Sequence, residues 1–249
     1  MDRLQTLTCH HEGVELKGQV AAPDGTGPHP AVLVMHTALG LGTQMRRQAC
    51  LLAERGYVAV ATDMFGSGAD YHANPSAAGA AYSALLDKPQ LLRARTVAWH
   101  ALVRGMPNVD SKRIAAVGYC FGGRCVLELA RSGADVKAVV SYHGLLDTPM
   151  PAQPGAIKGV VAIYTGAQDP YAPTAHVEAF RHEMVGAQAR WQITVFGDAA
   201  HGFTDPDAAT IKRPGIAYDA LADRISWAAT MALLEAELTQ VDSRTSGAF

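Results

Sequence analysis

Short, continuously apolar runs alternate along this chain with longer amphipathic stretches, and glycine, proline and aspartate punctuate the joins. Apolar runs of about 4–8 residues suit strands covered on both faces, whereas longer runs with apolar positions three and four apart suit the covering helices. Residues 4–9 and 14–21, separated by His10, His11, Glu12 and Gly13, predict an antiparallel hairpin. After a Pro/Gly-rich loop at 23–30, the run Ala31-Val32-Leu33-Val34-Met35 predicts a central strand. Further strands are expected at 58–62, 114–117, 138–142, 160–165 and 191–196. Helices are expected at 44–55, 76–86, 91–104, 124–132, 173–185 and 216–238, with Pro89 separating the second from the third. In the last helix, Leu221, Ile225, Ala228, Ala229 and Leu233 are expected to face the sheet. Residues 70–75 read as a polar loop, and 242–249 as a loose tail with too little apolar surface to offset chain entropy. The alternation predicts an α/β fold with a mostly parallel central β-sheet and helices on both faces, in one domain spanning 1–249.

Composition narrows the function. A chain of 249 residues with 49% hydrophobic and 18% charged positions can bury a large core. A formal net charge of −2 with scattered Lys and Arg leaves no basic footprint, which argues against nucleic acid as a partner. No apolar run approaches the length of a membrane span, and the N-terminal residues lead directly into a strand, so a soluble, cytoplasmic protein with no membrane partner is expected. Cys9, Cys50, Cys120 and Cys125 lack zinc-like pairing and read as reduced thiols. Ten histidines are present without an H-E-x-x-H motif, so neither a metal nor a cofactor is expected.

The candidate chemistry centres on Gly118-Tyr119-Cys120-Phe121-Gly122-Gly123, between the apolar run 114–117 and the helical run 124–132. Strand, sharp turn and helix in that order have the G-x-nucleophile-x-G form of a nucleophile elbow, with a thiol in the exposed position. A helix starting just after Cys120 would direct its N–H groups and positive dipole end at the sulfur, favouring a thiolate. A buried structural cysteine in a Gly-rich turn would have the same local sequence. The glycine spacing does not fit the G-x-G-x-x-G dinucleotide fingerprint.

Other strand ends supply the partners, because ligands in open α/β sheets bind beyond the carboxyl ends of strands. His36, Thr37 and Ala38 follow the central strand in a glycine-containing loop suited to a second oxyanion donor. Phe65 follows the strand at 58–62, and Tyr142 and His143 stand at the end of the strand at 138–142; these are candidate pocket residues. Asp169 follows the strand at 160–165, and His201 and Phe203 follow the last strand. Cys120, Asp169 and His201 thus stand in the chain order nucleophile, acid, histidine that α/β-hydrolases use.

Together with Gly166-Ala167-Gln168-Asp169, Ala200-His201-Gly202-Phe203 and Gly56-Tyr57-Val58-Ala59-Val60, these motifs make nearly the whole chain resemble the dienelactone hydrolase family of α/β-hydrolases. That resemblance implies Cys120 as nucleophile, His201 as general base and acid, and Asp169 as the group orienting the imidazole. It also implies an oxyanion hole from the backbone of Phe121 and Ala38; the strand-end positions His36, Thr37, Phe65, Tyr142, His143 and Phe203 are the residues from which a substrate pocket is expected. The implied reaction is hydrolysis of a small-molecule ester or lactone through a thioester acyl-enzyme, by a monomer or small homo-oligomer. Two positions depart from the family: Thr37 stands where dienelactone hydrolases proper carry a glutamate, and Asp205 lies where an arginine would meet a substrate carboxylate. Acyl transfer on the same residues, or a redox-sensing or ligand-binding thiol, are the other readings.

Overall fold

The computed structural model describes residues 3–66 and 73–239. Residues 70–72 of the expected loop at 70–75 lie outside these, while Asn74 caps and Pro75 opens the helix that follows; the tail at 242–249 lies wholly outside them. The described strands are β1 (Gln5–His11), β2 (Val14–Ala21), β3 (His29–Met35), β4 (Val58–Ala61), β5 (Val109–Tyr119), β6 (Ala138–Tyr142), β7 (Val160–Gly166) and β8 (Arg190–Phe196). The helices are α1 (Thr43–Glu54), α2 (Pro75–Leu86), α3 (Pro89–Arg104), α4 (Phe121–Arg131), α5 (Thr174–Gly186) and α6 (Ala220–Leu238). They build one eight-stranded sheet in the order β1-β2-β4-β3-β5-β6-β7-β8. Only the β1–β2 and β2–β4 pairings are antiparallel; β4 through β8 run parallel.

Side chains of successive strand residues divide between two cores, as the two-residue pleat requires. Leu33, Val60, Ala116, Val139 and Ile163 belong to the core under α2, α3, α4 and α5. Val34, Ala61, Val117, Val140 and Ala162 belong to the core under α1 and α6. Because both faces are covered, these strands read as unbroken apolar runs. The parallel register places Met35 opposite Gly118 and Tyr119 opposite Tyr142, so the loops that follow β3, β5 and β6 open at the same edge.

Some local expectations are corrected. His10 and His11 belong to β1, and the turn is confined to Glu12 and Gly13, which both take positive φ. The last helix begins at Ala220, because residues 215–217 are engaged in pairing with the loop around His201. Within α6, Leu221 and Ile225 face solvent at 57% and 45% exposure, while Ala222, Ser226, Thr230, Leu234 and Leu238 form the buried stripe. Small side chains spaced four apart let this helix lie close to the sheet, and the Tyr142 hydroxyl donates to Thr230 Oγ1 there. A short 3-10 turn at Ala208–Ile211 had no counterpart in the sequence pattern.

Candidate active site

Cys120 occupies the cap position of α4, with φ of 55° and ψ of −113°. A non-glycine residue in this region is strained and persists only where its surroundings enforce it. Gly118 and Gly122 enforce it: a Cβ on Gly118 would lie 2.0 Å from the Gly122 carbonyl oxygen, and one on Gly122 would lie 2.0 Å from that of Met35. The first turn of α4 therefore sits directly on the end of β3, which brings the loop starting at His36 over the thiol. The backbone N–H groups of Ala38 and Phe121 hydrogen-bond the Cys120 sulfur, and the residue is partly exposed.

The loops after β7 and β8 interlock behind it. Ala167 N–H donates to the Phe196 carbonyl at 2.8 Å, and Gln168 N–H donates to that of Ala199 at 3.0 Å. Asp169 is buried; its Oδ1 accepts from Tyr171 N–H at 2.8 Å, and its Oδ2 accepts from His201 Nδ1 at 2.9 Å. That bond fixes the tautomer and leaves Nε2 to meet the thiol, with which His201 is hydrogen-bonded. His201 is anchored through its own backbone: its N–H donates to Gly215 at 2.9 Å, and its carbonyl accepts from Ala217 at 3.0 Å.

Electrostatics follow from this packing. Burial opposes the thiolate, but the charge and hydrogen bond of His201 and the amides of Ala38 and Phe121 outweigh it, so the Cys120 pKa lies below its ordinary value. Burial opposes the imidazolium too, yet the Cys120 thiolate and the Asp169 carboxylate raise the His201 pKa to about 10. The two groups favour a thiolate–imidazolium pair. His143 behaves oppositely: burial, and then repulsion by His201, hold its pKa well below the ordinary value, so it is a neutral neighbour.

The remaining sequence candidates fall into three positions. His36, Phe65 and Phe121 form an aromatic cluster beneath the loop, with His36 at 4.6 Å from Phe65 and 5.8 Å from Phe121 between ring centroids. Thr37 is partly exposed, and its hydroxyl accepts from Leu39 N–H at 3.2 Å. His143 and Phe203 are buried behind His201, His143 lying 5.1 Å from each ring and hydrogen-bonded to Thr204 Oγ1 at 2.9 Å. Tyr142 is withdrawn from the pocket: it stacks on Tyr119 at 4.7 Å under α6, in the core opposite to the one Cys120 packs against. Strand alternation accounts for this, since Tyr142 shares a face with Val140.

Two residues at the site had escaped notice. Tyr171 stands edge-on to His201 at 4.7 Å and is 38% exposed. Tyr82 of α2 packs edge-on against Phe121 at 5.5 Å. Burial, followed by the charge of Cys120, pushes its pKa up to about 12. A signal existed for each: Tyr82 is the lone aromatic in the Ala-rich sequence of α2, and Tyr171 shares the loop of Asp169.

A parallel sheet flanked by helices, with an elbow after β5 and acid and histidine loops after β7 and β8, defines an α/β-hydrolase fold. The chain belongs to the dienelactone hydrolase family, whose sequence pattern matches residues 16–238, and that family comprises hydrolases of small molecules. A crystal structure of P91, a dienelactone hydrolase-like promiscuous phosphotriesterase from metagenomic libraries, is 30% identical, with 95% of this chain and 98% of that one covered and a TM-score of 0.88. A second solved structure, m3DLH, is 33% identical over the same shares at a TM-score of 0.87. A Yersinia pestis protein provisionally named carboxymethylenebutenolidase is 28% identical over 226 residues, 81% of this chain and 83% of that protein. Among the described residues no helix is long and apolar enough to cross a membrane.

Proposed function

We propose that the protein hydrolyses small, uncharged carboxylic esters or lactones, with Cys120 as nucleophile, His201 as proton carrier and Asp169 as its orienting partner. The observation that carries this reading is the convergence on one sulfur of His201, itself held by Asp169 at 2.9 Å, and of the Ala38 and Phe121 amides. The thiolate attacks the carbonyl carbon, forming a C–S bond as the carbonyl electron pair moves onto oxygen, where the two amides stabilise it. The tetrahedral intermediate collapses, the C–O bond breaks, and His201 protonates the departing alkoxide, leaving a thioester. Neutral His201 then takes a proton from water, the hydroxide adds to the thioester, and the thiolate leaves with the acid released. With a lactone, acid and alcohol leave as one molecule. Asp205, just past the histidine, disfavours a substrate carboxylate on that side.

Likeness to P91 favours a second substrate class, phosphotriesters, because the same thiolate and amides suit attack at P=O. A panel of aryl esters, lactones, a dienelactone and an aryl phosphotriester, followed by turnover and intact mass, tests both. Cys120→Ala is expected to retain its fold and lose turnover by about 10³-fold or more, along with any transient acyl or phosphoryl adduct. Unchanged turnover in both Cys120→Ala and His201→Ala would refute the proposal.

The ion pair also sets a pH window. Reactivity should rise as pH passes upward through the lowered Cys120 pKa and fall as His201 loses its proton toward pH about 10. Asp169→Asn removes a group that raises the His201 pKa, so the alkaline limb should move down. A weaker imidazolium in turn raises the Cys120 pKa, so the acid limb should move up. The pH profile of iodoacetamide alkylation reads the acid limb directly, and a profile unmoved by Asp169→Asn would contradict this coupling.

A further inference from the structure

We propose that His36 is a positioning residue for the oxyanion site: it fixes and polarises the Thr37–Ala38 peptide group whose N–H faces Cys120. The inference rests on the reading of Ala38 as an oxyanion donor. His36 is fully buried, so both ring nitrogens need partners. Met64 N–H donates to Nε2 at 3.0 Å, which makes Nε2 the lone-pair nitrogen and places the proton on Nδ1. Nδ1 lies 2.7 Å from the Thr37 carbonyl oxygen and donates to it. That oxygen also accepts from Gly40 N–H at 3.1 Å.

The carbonyl of Thr37 and the N–H of Ala38 are opposite ends of one planar peptide group. Anchoring the oxygen therefore sets the direction of the N–H, and two hydrogen bonds drawing on that oxygen make the N–H a stronger donor. The other end of the group meets the Cys120 sulfur. His36 is itself held in place. Its ring packs against Phe65 and against Phe121, the residue supplying the second amide. Its partner Met64 lies in a loop tied to α3: Arg95 donates to the Met64 carbonyl at 2.6 Å, and Trp99 Nε1 donates to that of Asp63 at 2.8 Å. The Asp63 carboxylate caps the Phe65 and Gly66 amides of the same loop. A donor so constrained needs no reorganisation when negative charge develops on the substrate oxygen.

Hydrolysis of p-nitrophenyl acetate compared with alkylation by iodoacetamide isolates this role, because alkylation consumes the thiolate but builds no oxyanion. His36→Phe keeps a ring in the cluster and removes both hydrogen bonds. It should lower kcat/KM for the ester by about 10- to 100-fold while leaving the plateau rate of alkylation at high pH unchanged. His36→Gln, which carries a donor and an acceptor on one side chain, should recover much of the loss. Full ester turnover in His36→Phe, or ester turnover and alkylation falling together, would overturn the assignment. A readout on the unaltered protein covers the case in which His36→Phe does not fold: nitrogen-15 NMR of the imidazoles should find the His36 proton on Nδ1 and the lone pair on Nε2. A proton on Nε2 would overturn the assignment equally. If Cys120→Ala keeps full activity, the underlying reading fails; if only His36→Phe does, this inference alone fails.

Discussion

Helices α4 and α6 pack on the same two strands, β5 and β6, from opposite faces of the sheet. All eleven residues of α4 are buried, Arg124, Glu128 and Arg131 among them, whereas α6 turns Leu221 and Ile225 to solvent. Burial thus follows position in the layers rather than hydropathy. Helix α4 lies between the sheet and α3, and its charges are tolerated there because they are paired. Glu128 receives Arg93 at 2.6 Å, Arg131 at 3.0 Å and Arg124 at 3.2 Å, and Arg131 reaches Glu183 at 2.7 Å. Helix α6 is an outer cover and buries only one narrow stripe, small at its start and leucine at its end, against the strands.

That contrast can be broken by substitution. The largest effect is expected from Glu128→Ala, which leaves three arginines without their shared carboxylate: about 3–5 kcal/mol of stability should be lost, lowering the thermal midpoint by about 10 °C. Thr230→Val strands the Tyr142 hydroxyl under α6 and should cost about 1–2 kcal/mol in urea unfolding, with kcat unchanged. Leu221→Lys should stay within about 0.5 kcal/mol. If Leu221→Lys destabilised as much as Glu128→Ala, the account of the two layers would be wrong.

The same two helices mark what the sequence disclosed. Strands β3 to β7 were legible because strands covered on both faces leave apolar runs, whereas the edge strand β8 showed itself by the alternation in Trp191-Gln192-Ile193-Thr194-Val195-Phe196. Cys120, Asp169 and His201 could be picked out because each follows one of these strands. The face of α6 was read in part: Ala229 and Leu233 pack against the core as expected, but Leu221, Ile225 and Ala228 are exposed, because the fully buried stripe is made of alanine, serine and threonine as well as leucine. Tyr142 was misplaced because a strand-end position says nothing about which face its side chain takes until the pleat is counted from Val140. Tyr82 reaches the site from a helix distant in sequence, and the double anchoring of His36 depends on Met64, placed by the adjoining strand. Contacts that cross between segments leave little local trace.

The pairing of β3 with β5 carries a kinetic consequence. These neighbours are separated in sequence by α1, β4, α2 and α3, so joining them closes a long loop, the slow kind of event in assembling a parallel sheet. The Ala38 amide arrives on the loop after β3 and the Cys120 thiol on the turn after β5, so the sulfur gains this one of its donors only when that seam has closed. During refolding, full reactivity of the Cys120 thiol therefore cannot precede closure of the central joint of the sheet.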